Sequence, residues 1–185
     1  MKTLLLTGGS SGIGLHTVQL FVEKGWTVFE LSRSGKSTQD VTHIDCDVTD
    51  DVSVKQAISE VMQRIDHLDV VINNAGFGIS GPIEYTSTTE AQKQFDVNFF
   101  GAFRLTKAVL PILRKQGRGR IIFTSSVAAD LSIPYQSFYS ASKSALNAMA
   151  LALANEVREF GIRVSVLMPG DVATGFTKKK KKNIH

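Results

Sequence analysis

The sequence predicts an α/β protein, a single domain built on a doubly wound, mostly parallel sheet. Three observations predict it. Short apolar runs alternate with longer amphipathic ones along most of the chain. The connections between them are short, and parallel neighbours need a crossover helix between them. A glycine-rich stretch, TGGSSGIG, falls where the first apolar run gives way to the first helical pattern.

Taken in order, TLLLT (3–7), TVFEL (27–31), VTHID (41–45), DVVIN (69–73), RIIFTS (120–125) and IRVSVLM (162–168) read as strands. Several are apolar almost throughout, the pattern of strands covered on both faces. From about Gly12 the chain reads as a helix that stops before Gly25, a residue suited to a left-handed cap. About ten residues separate the second and third strands, so a helix between them is shortened or absent. Val54, Ile58, Val61 and Ile65 form one helical stripe, capped by Asp50 or Asp51. A long helical stretch from about Thr88 to Lys115 contains Asn98, Gly101 and, near its end, Pro111. Asn98 and Gly101 are poor helix formers and predict a local kink or a side-chain task. Leu146, Met149, Leu153 and Val157 make the last stripe.

With 185 residues, 43% hydrophobic and 21% charged, the chain can build one substantial core. A single cysteine, Cys46, allows no internal disulfide; it reads as a small buried hydrophobe in a reducing compartment. The first strand-like run starts at Lys2, so no signal peptide is expected. No apolar run approaches the roughly 18 residues of a membrane span. The expected location is the cytoplasm, with no membrane partner. The net charge is +4, yet Lys178 to Lys182 supply five positive charges, and without them 16 basic residues face 17 acidic ones. A nucleic-acid face needs Lys and Arg spread over folded structure, so no such partner is expected. Residues 1–176 are expected to form the cofactor-binding core. The Lys-rich tail, 177–185, has repelling charges and no apolar face, and is expected to be solvated and no built element.

The chemistry collects at strand ends. In TGGSSGIG, Gly8, Gly12 and Gly14 bracket a turn that also holds Ser10, Ser11 and Ile13. Such a turn lets a pyrophosphate approach the backbone at a helix N-terminus, although an ordinary strand–helix turn could carry the same glycines. The second strand ends in Ser32 and Arg33 with no acid at its tip. Arginine suits a 2′-phosphate and an acid suits a free 2′-hydroxyl, so NADP(H) is favoured over NAD(H), unless Arg33 is merely solvated. NNAG (Asn73 to Gly76) ends the fourth strand and could be a simple turn. Ser125 and Ser126 leave the fifth long strand. Tyr139 and Lys143 lie four residues apart, on one face of a helix. A half-buried core tyrosine beside a solvated lysine is the plainer reading of that pair. His16, His43, His67 and His185 show no ligand spacing and read as surface or packing residues, so no metal is expected.

In order, TGGSSGIG, Asp47–Val48, NNAG, Asn98, Ser126, YSASK and Pro169–Gly170 make the chain resemble the short-chain dehydrogenase/reductase family, from residue 1 to about 176. The resemblance implies a Rossmann-type fold and an oxidoreductase that interconverts a ketone or aldehyde with an alcohol. It implies Tyr139 as proton donor or acceptor and Ser126 as a hydrogen-bond partner of the substrate oxygen. Lys143 would lower the phenol's pKa and hold the nicotinamide ribose, and Asn98 would bind a water linking Lys143 to solvent. Bringing a phenol from about 10 to about 7 needs roughly 4 kcal/mol. Cofactor contacts are implied for Asn74, Ala75, Gly76, Pro169 and Gly170, and for Asp47 with Val48 at the adenine edge. Asp47 also reads as a helix cap. Pro134 and Tyr135 are expected to line the substrate pocket.

Family members pair the helices near 88–115 and 140–160 across a two-fold axis. This implies a homodimer or homotetramer through Phe99, Phe100, Phe103, Leu151 and Leu153, unless one core buries them all. The fold would equally suit a protein that senses a dinucleotide without turnover. The set Asn98, Ser126, Tyr139 and Lys143 favours the enzyme. After PGDVATGFT the family continues with a substrate-covering segment and a last strand, where this chain has its lysines. The substrate is therefore not legible.

Overall fold

In the computed structural model, which describes residues 2–172 and the backbone of residues 181 and 182, each expected strand forms. The strands are β1 (Thr3–Thr7), β2 (Thr27–Ser32), β3 (Val41–Asp45), β4 (Val70–Asn73), the two-residue β5 (Ile79–Ser80), β6 (Gly119–Thr124) and β7 (Ile162–Leu167). Among the described residues six of them make one parallel sheet in the order β3-β2-β1-β4-β6-β7. The order reverses at β1, which pairs with β2 on one side and β4 on the other. A crevice beyond the carboxyl ends of β1 and β4 is where such sheets hold ligands.

The apolar runs explain why β1 is central. Alternate residues of a strand face opposite sides, so a strand with helices on both faces must be apolar at every position. Leu4, Leu5 and Leu6 have no exposed surface. Leu5 joins Phe29, Leu31, Val71, Ile121 and Phe123 in one core, under α2 (Asp51–Met62), α4 (Ala102–Gln116) and α5 (Ser137–Glu156). Leu4 and Leu6 join Val28, Val70 and Ile72 in a second core on the other face, against Val18 of α1 (Gly12–Glu23). Each such fully buried side chain contributes about 1.5–3 kcal/mol.

Helix ends follow local chemistry. Gly25, at φ +72°, closes the turn after α1. Asp50, not Asp51, caps α2, its carboxylate accepting from Val52 N at 2.9 Å. No helix forms between β2 and β3. The long helical stretch, expected to be disturbed at Asn98 and Gly101, is three pieces: α3 (Thr88–Phe95), opened by a Ser87–Glu90 capping box, a π-helical turn over Asp96–Gly101, and α4. Leu153 faces the core, which removes it from the expected pairing surface; Phe100, Phe103 and Leu151 are exposed.

One expectation is corrected at its end. Lys181–Lys182 forms β8, a strand paired in parallel with β5, so part of the lysine run is a built element. Backbone pairing is indifferent to side-chain charge, which is why composition misses it. Lys178 to Lys180 and residues 183–185 lie outside the described residues. Among the described residues no helix is long and apolar enough to cross a membrane.

Candidate active site

The turn after β1 is built for close backbone approach. Gly8 and Gly12 adopt positive φ, +72° and +56°. A β-carbon on Gly14 would fall 2.2 Å from the Gly8 carbonyl oxygen, so only glycine fits there. The Ser11 hydroxyl does not cap α1, and the first turn of α1 contains no acidic residue. Its leading N–H groups and the helix dipole therefore face outward, donors that suit a pyrophosphate. The strand ends are clasped across the crevice. Thr7 Oγ1 accepts from Asn74 N and Ala75 N, and Asn74 Nδ2 donates to the carbonyls of Thr7 and Gly8, each at 3.1 Å.

Tyr139 and Lys143 sit one turn apart on α5, and both are buried. Lys143 Nζ donates to the Thr124 carbonyl at 2.7 Å and lies 5.8 Å from the Tyr139 ring centroid. Burial lowers the Lys143 ammonium to about 8. Burial also pushes the Tyr139 phenol above its ordinary value, and the hydrogen bond from Ser126 offsets only part of that. In the cofactor-free protein the phenol is therefore raised, through burial, and Ser126 is the group that opposes the rise. A phenol held above 10 is a proton donor at neutral pH. Ser126 lies where β6 has left the sheet, its hydroxyl oxygen accepting from Ala128 N at 3.1 Å. Ser125 instead points inward, toward the Lys143 carbonyl.

Asn98 projects from the π-helical turn and is 1% exposed, which forces its amide to find partners. Its Oδ1 accepts from Phe77 N at 3.0 Å, and its Nδ2 donates to Phe77 O at 2.9 Å and Ser142 Oγ at 3.1 Å. Both N–H groups of the amide are therefore given to the protein. Ser142 in turn donates to the Tyr139 carbonyl at 2.8 Å. A β-carbon on Gly76 would lie 3.1 Å from Asn98 Oδ1 and 3.5 Å from Lys143 Nζ, so these three residues converge. One helical turn earlier, the fully buried Gln94 holds Phe77 O and Ile79 N.

The remaining candidates spread along the crevice. Ile13 and Pro169 line one groove of about 520 Å³ with His16, Leu20 and Val172. The Pro169 carbonyl accepts from Val127 N, and Gly170 is exposed. Arg33 is exposed beyond β2, and Ser32 Oγ donates to Glu30 at 3.1 Å. Asp47 caps no helix. Its Oδ1 accepts from Thr49 N and Oγ1, bonds that hold its carboxyl below the usual range. Val48 is buried against Gly101. Tyr135 is exposed at φ +64°, its carbonyl accepting from Gly81 N at 2.8 Å.

Sequence reasoning misses Thr7, Gln94, Ser142 and Glu30. The signal for Gln94 is its place four residues before Asn98, on one helix face. His43, expected as a surface or packing residue, instead lies with Nδ1 2.6 Å from Glu30 Oε2.

A doubly wound parallel sheet with a glycine turn at its switch point defines a Rossmann-type protein. The chain belongs to the short-chain dehydrogenase family, whose model matches residues 2–185. It is 44% identical over 177 residues to the 3-ketodihydrosphingosine reductase of Bacteroides thetaiotaomicron, covering 95% of this chain and 66% of that protein. A short-chain dehydrogenase from Streptomyces avermitilis superposes with a TM-score of 0.89 at 35% identity, covering 94% of this chain and 67% of that one. The structure of ElxO with NADP bound superposes at 0.91 with 27% identity, covering 96% and 77%. The chain spans about two thirds of the length of the first two of these relatives.

Proposed function

We propose that this protein is an NADP(H)-dependent oxidoreductase that interconverts a ketone or aldehyde with the corresponding alcohol, with Tyr139 as proton donor and acceptor. The observation that carries the reading is the convergence of a buried phenol, a serine hydroxyl bonded to it and a buried ammonium one helical turn away. The dinucleotide, when bound, supplies or takes the hydride. Ser126 holds the substrate oxygen within reach of Tyr139. The protonated phenol delivers its proton to that oxygen, and Lys143 stabilises the phenolate left behind. Asn98 acts through Phe77 and Ser142, a positioning residue that fixes the floor of the site.

The glycine turn would hold the pyrophosphate, Asn74 to Gly76 the neighbouring ribose, and Asp47 the adenine edge. Arg33, with no acid at the strand tip beside it, supports the phosphorylated cofactor, as does the likeness to ElxO with NADP bound. The name of the Bacteroides relative supports a carbonyl substrate. Residues 1–176 form the cofactor-binding domain of this proposal, in a cytoplasmic homo-oligomer with no nucleic-acid or membrane partner.

NADPH oxidation against a panel of ketones and aldehydes tests the reading. Tyr139→Phe is expected to lower turnover by roughly 10²–10⁴-fold while leaving NADPH affinity nearly unchanged. A variant that keeps more than about a tenth of the activity removes Tyr139 from the acid's role. Binding of NADPH by the wild type without turnover of any carbonyl would favour a sensor.

A further inference from the structure

The mechanism leaves one buried carboxylate unused. Glu30 lies in β2 between the core residues Phe29 and Leu31, and is 4% exposed. A carboxylate buried so deeply must be compensated. In the parallel pairing of β2 with β3, Glu30 sits opposite His43 and Ser32 opposite Asp45. The two-residue period of a strand then gathers all four side chains on one face. Glu30 Oε1 accepts from Gly9 N at 2.9 Å, and its Oε2 accepts from Ser32 Oγ at 3.1 Å and lies 2.6 Å from His43 Nδ1. His43 Nε2 is 3.1 Å from Asp45 Oδ1.

This cluster ties together three pieces of backbone. Gly9 belongs to the glycine turn, Ser32 adjoins Arg33, and the segment 33–40 lies directly on the pair. A β-carbon on Gly35 would fall 2.3 Å from both Glu30 Oε2 and His43 Nδ1. Ser37 Oγ accepts from His43 N at 3.0 Å. With no helix between β2 and β3, the segment that carries Arg33 packs on this pair through Gly35 and is tied to β3 through Ser37 and through Thr38 N, which donates to the Val41 carbonyl.

An imidazole facing carboxylates at both nitrogens satisfies both only when both nitrogens carry protons. Neutral histidine turns a lone pair toward one of them and raises the cluster's charge from −1 to −2. Accordingly its pKa lies above 6.5: burial, the largest influence, lowers it, and the bonds to Glu30 and Asp45 more than offset this. The charged groups in contact with His43 are Glu30 from β2 and Asp45 from β3; the glycine turn and the 33–40 segment touch the pair through Gly9, Gly35 and Ser37, and the segment's own charged residues, Arg33, Lys36 and Asp40, are exposed. Cys46 and Asp47, which follow β3, hold fixed charge states near neutrality, the thiol pushed up to about 11 and the carboxyl held low.

We propose that Glu30 and His43 are a positioning pair that sets cofactor specificity: the imidazolium-bound carboxylate holds the glycine turn, Ser32 and the Arg33 segment as one body, so that preference for the 2′-phosphorylated dinucleotide requires the charged histidine. This rests on the reading that the dinucleotide lies across the glycine turn with its 2′ end at Arg33. Neutral His43 loosens the segment and removes a positive charge from the neighbourhood of the 2′-phosphate. NADPH affinity then falls with rising pH while NADH, which lacks that phosphate, is less affected. The phosphate's own ionisation near pH 6 acts in the opposite sense, since a fuller charge binds Arg33 more tightly.

Fluorescence titration of the full chain with NADPH and with NADH between pH 6 and 9 tests the pair, with melting curves to check folding. In the wild type the NADPH-to-NADH affinity ratio is expected to fall roughly three- to tenfold as pH rises. His43→Gln, which keeps a donor for Glu30 but cannot titrate, is expected to give a ratio that does not fall. Glu30→Gln is expected to abolish the fall as well; should it not fold, His43→Gln decides. Equal ratios in wild type and His43→Gln at every pH would overturn the pair's role while leaving the function intact. Arg33→Ala is expected to lose NADPH preference throughout the range. Retained preference in that variant, or a wild type that binds neither dinucleotide, would overturn the cofactor placement and the pair together.

Discussion

Lys143 is an ammonium with 4% exposure and, among the described residues, no carboxylate partner. Its pKa falls from 10.5 to about 8 on folding, so the fold disfavours the charged form. The cost is complete below pH 8 and fades as pH rises toward 10.5. A difference of that size corresponds to roughly 3 kcal/mol, part of which the bond to the Thr124 carbonyl already reflects. Lys143→Met is therefore expected to stabilise the cofactor-free protein by about 1–3 kcal/mol at pH 7 and to abolish turnover, the trade common at functional sites. Urea unfolding checks it. The gain should shrink between pH 8 and 10, and a gain that grows there would refute the burial account. His43 has the opposite sign: its pKa is raised, so its stabilisation is full below 6.5 and is lost as pH rises through the folded value. The four-residue spacing of Tyr139 and Lys143 was legible in the sequence because it is local. The upward shift of the phenol was not, because it depends on what other elements bring against it.

At the scale of elements, the helical stretch from Thr88 was legible as interrupted, since Asn98 and Gly101 break its propensity. The reason for the interruption was not. Its partner, Phe77, lies 21 residues upstream in a segment without regular structure, and only the folded chain brings the two together. The π-helical turn is thus secured from outside by side-chain bonds to main-chain groups. Asn98→Ala leaves Phe77 N and O without these partners and is expected to cost about 2–4 kcal/mol, measurable by urea unfolding. A loss under about 1 kcal/mol, the worth of an ordinary helix cap such as Asp50, would mean that the turn holds itself. The choice between Asp50 and Asp51 shows a similar limit. Both are good capping residues, and the backbone angles at Asp50 (φ −115°, ψ 119°), with its bond from Val52 N, decide between them.

For the whole molecule, near-continuous apolar strands made the two-faced core readable, whereas the β5–β8 pairing left no trace in composition. The exposed remainder points to assembly. Phe100, Phe103 and Leu151 are 45%, 42% and 66% exposed, large apolar surfaces on the helices proposed to pair across a two-fold axis. Light scattering at micromolar concentration is expected to give a multiple of the 20.2 kDa chain mass, and Phe103→Glu with Leu151→Glu is expected to give the monomer mass. A wild-type monomer would count against the assembly. The central place of β1 has a consequence for biosynthesis. β1 is made before both of its neighbours, and Leu4 pairs with Val70, so its second neighbour is made 66 positions later. Until then TLLLT is an uncovered greasy segment, a natural target for chaperones that bind nascent chains, and its long-range pairing slows the search for the native state. β1 thus waits, with one edge bare, until the 66 positions that separate Leu4 from Val70 have been synthesised.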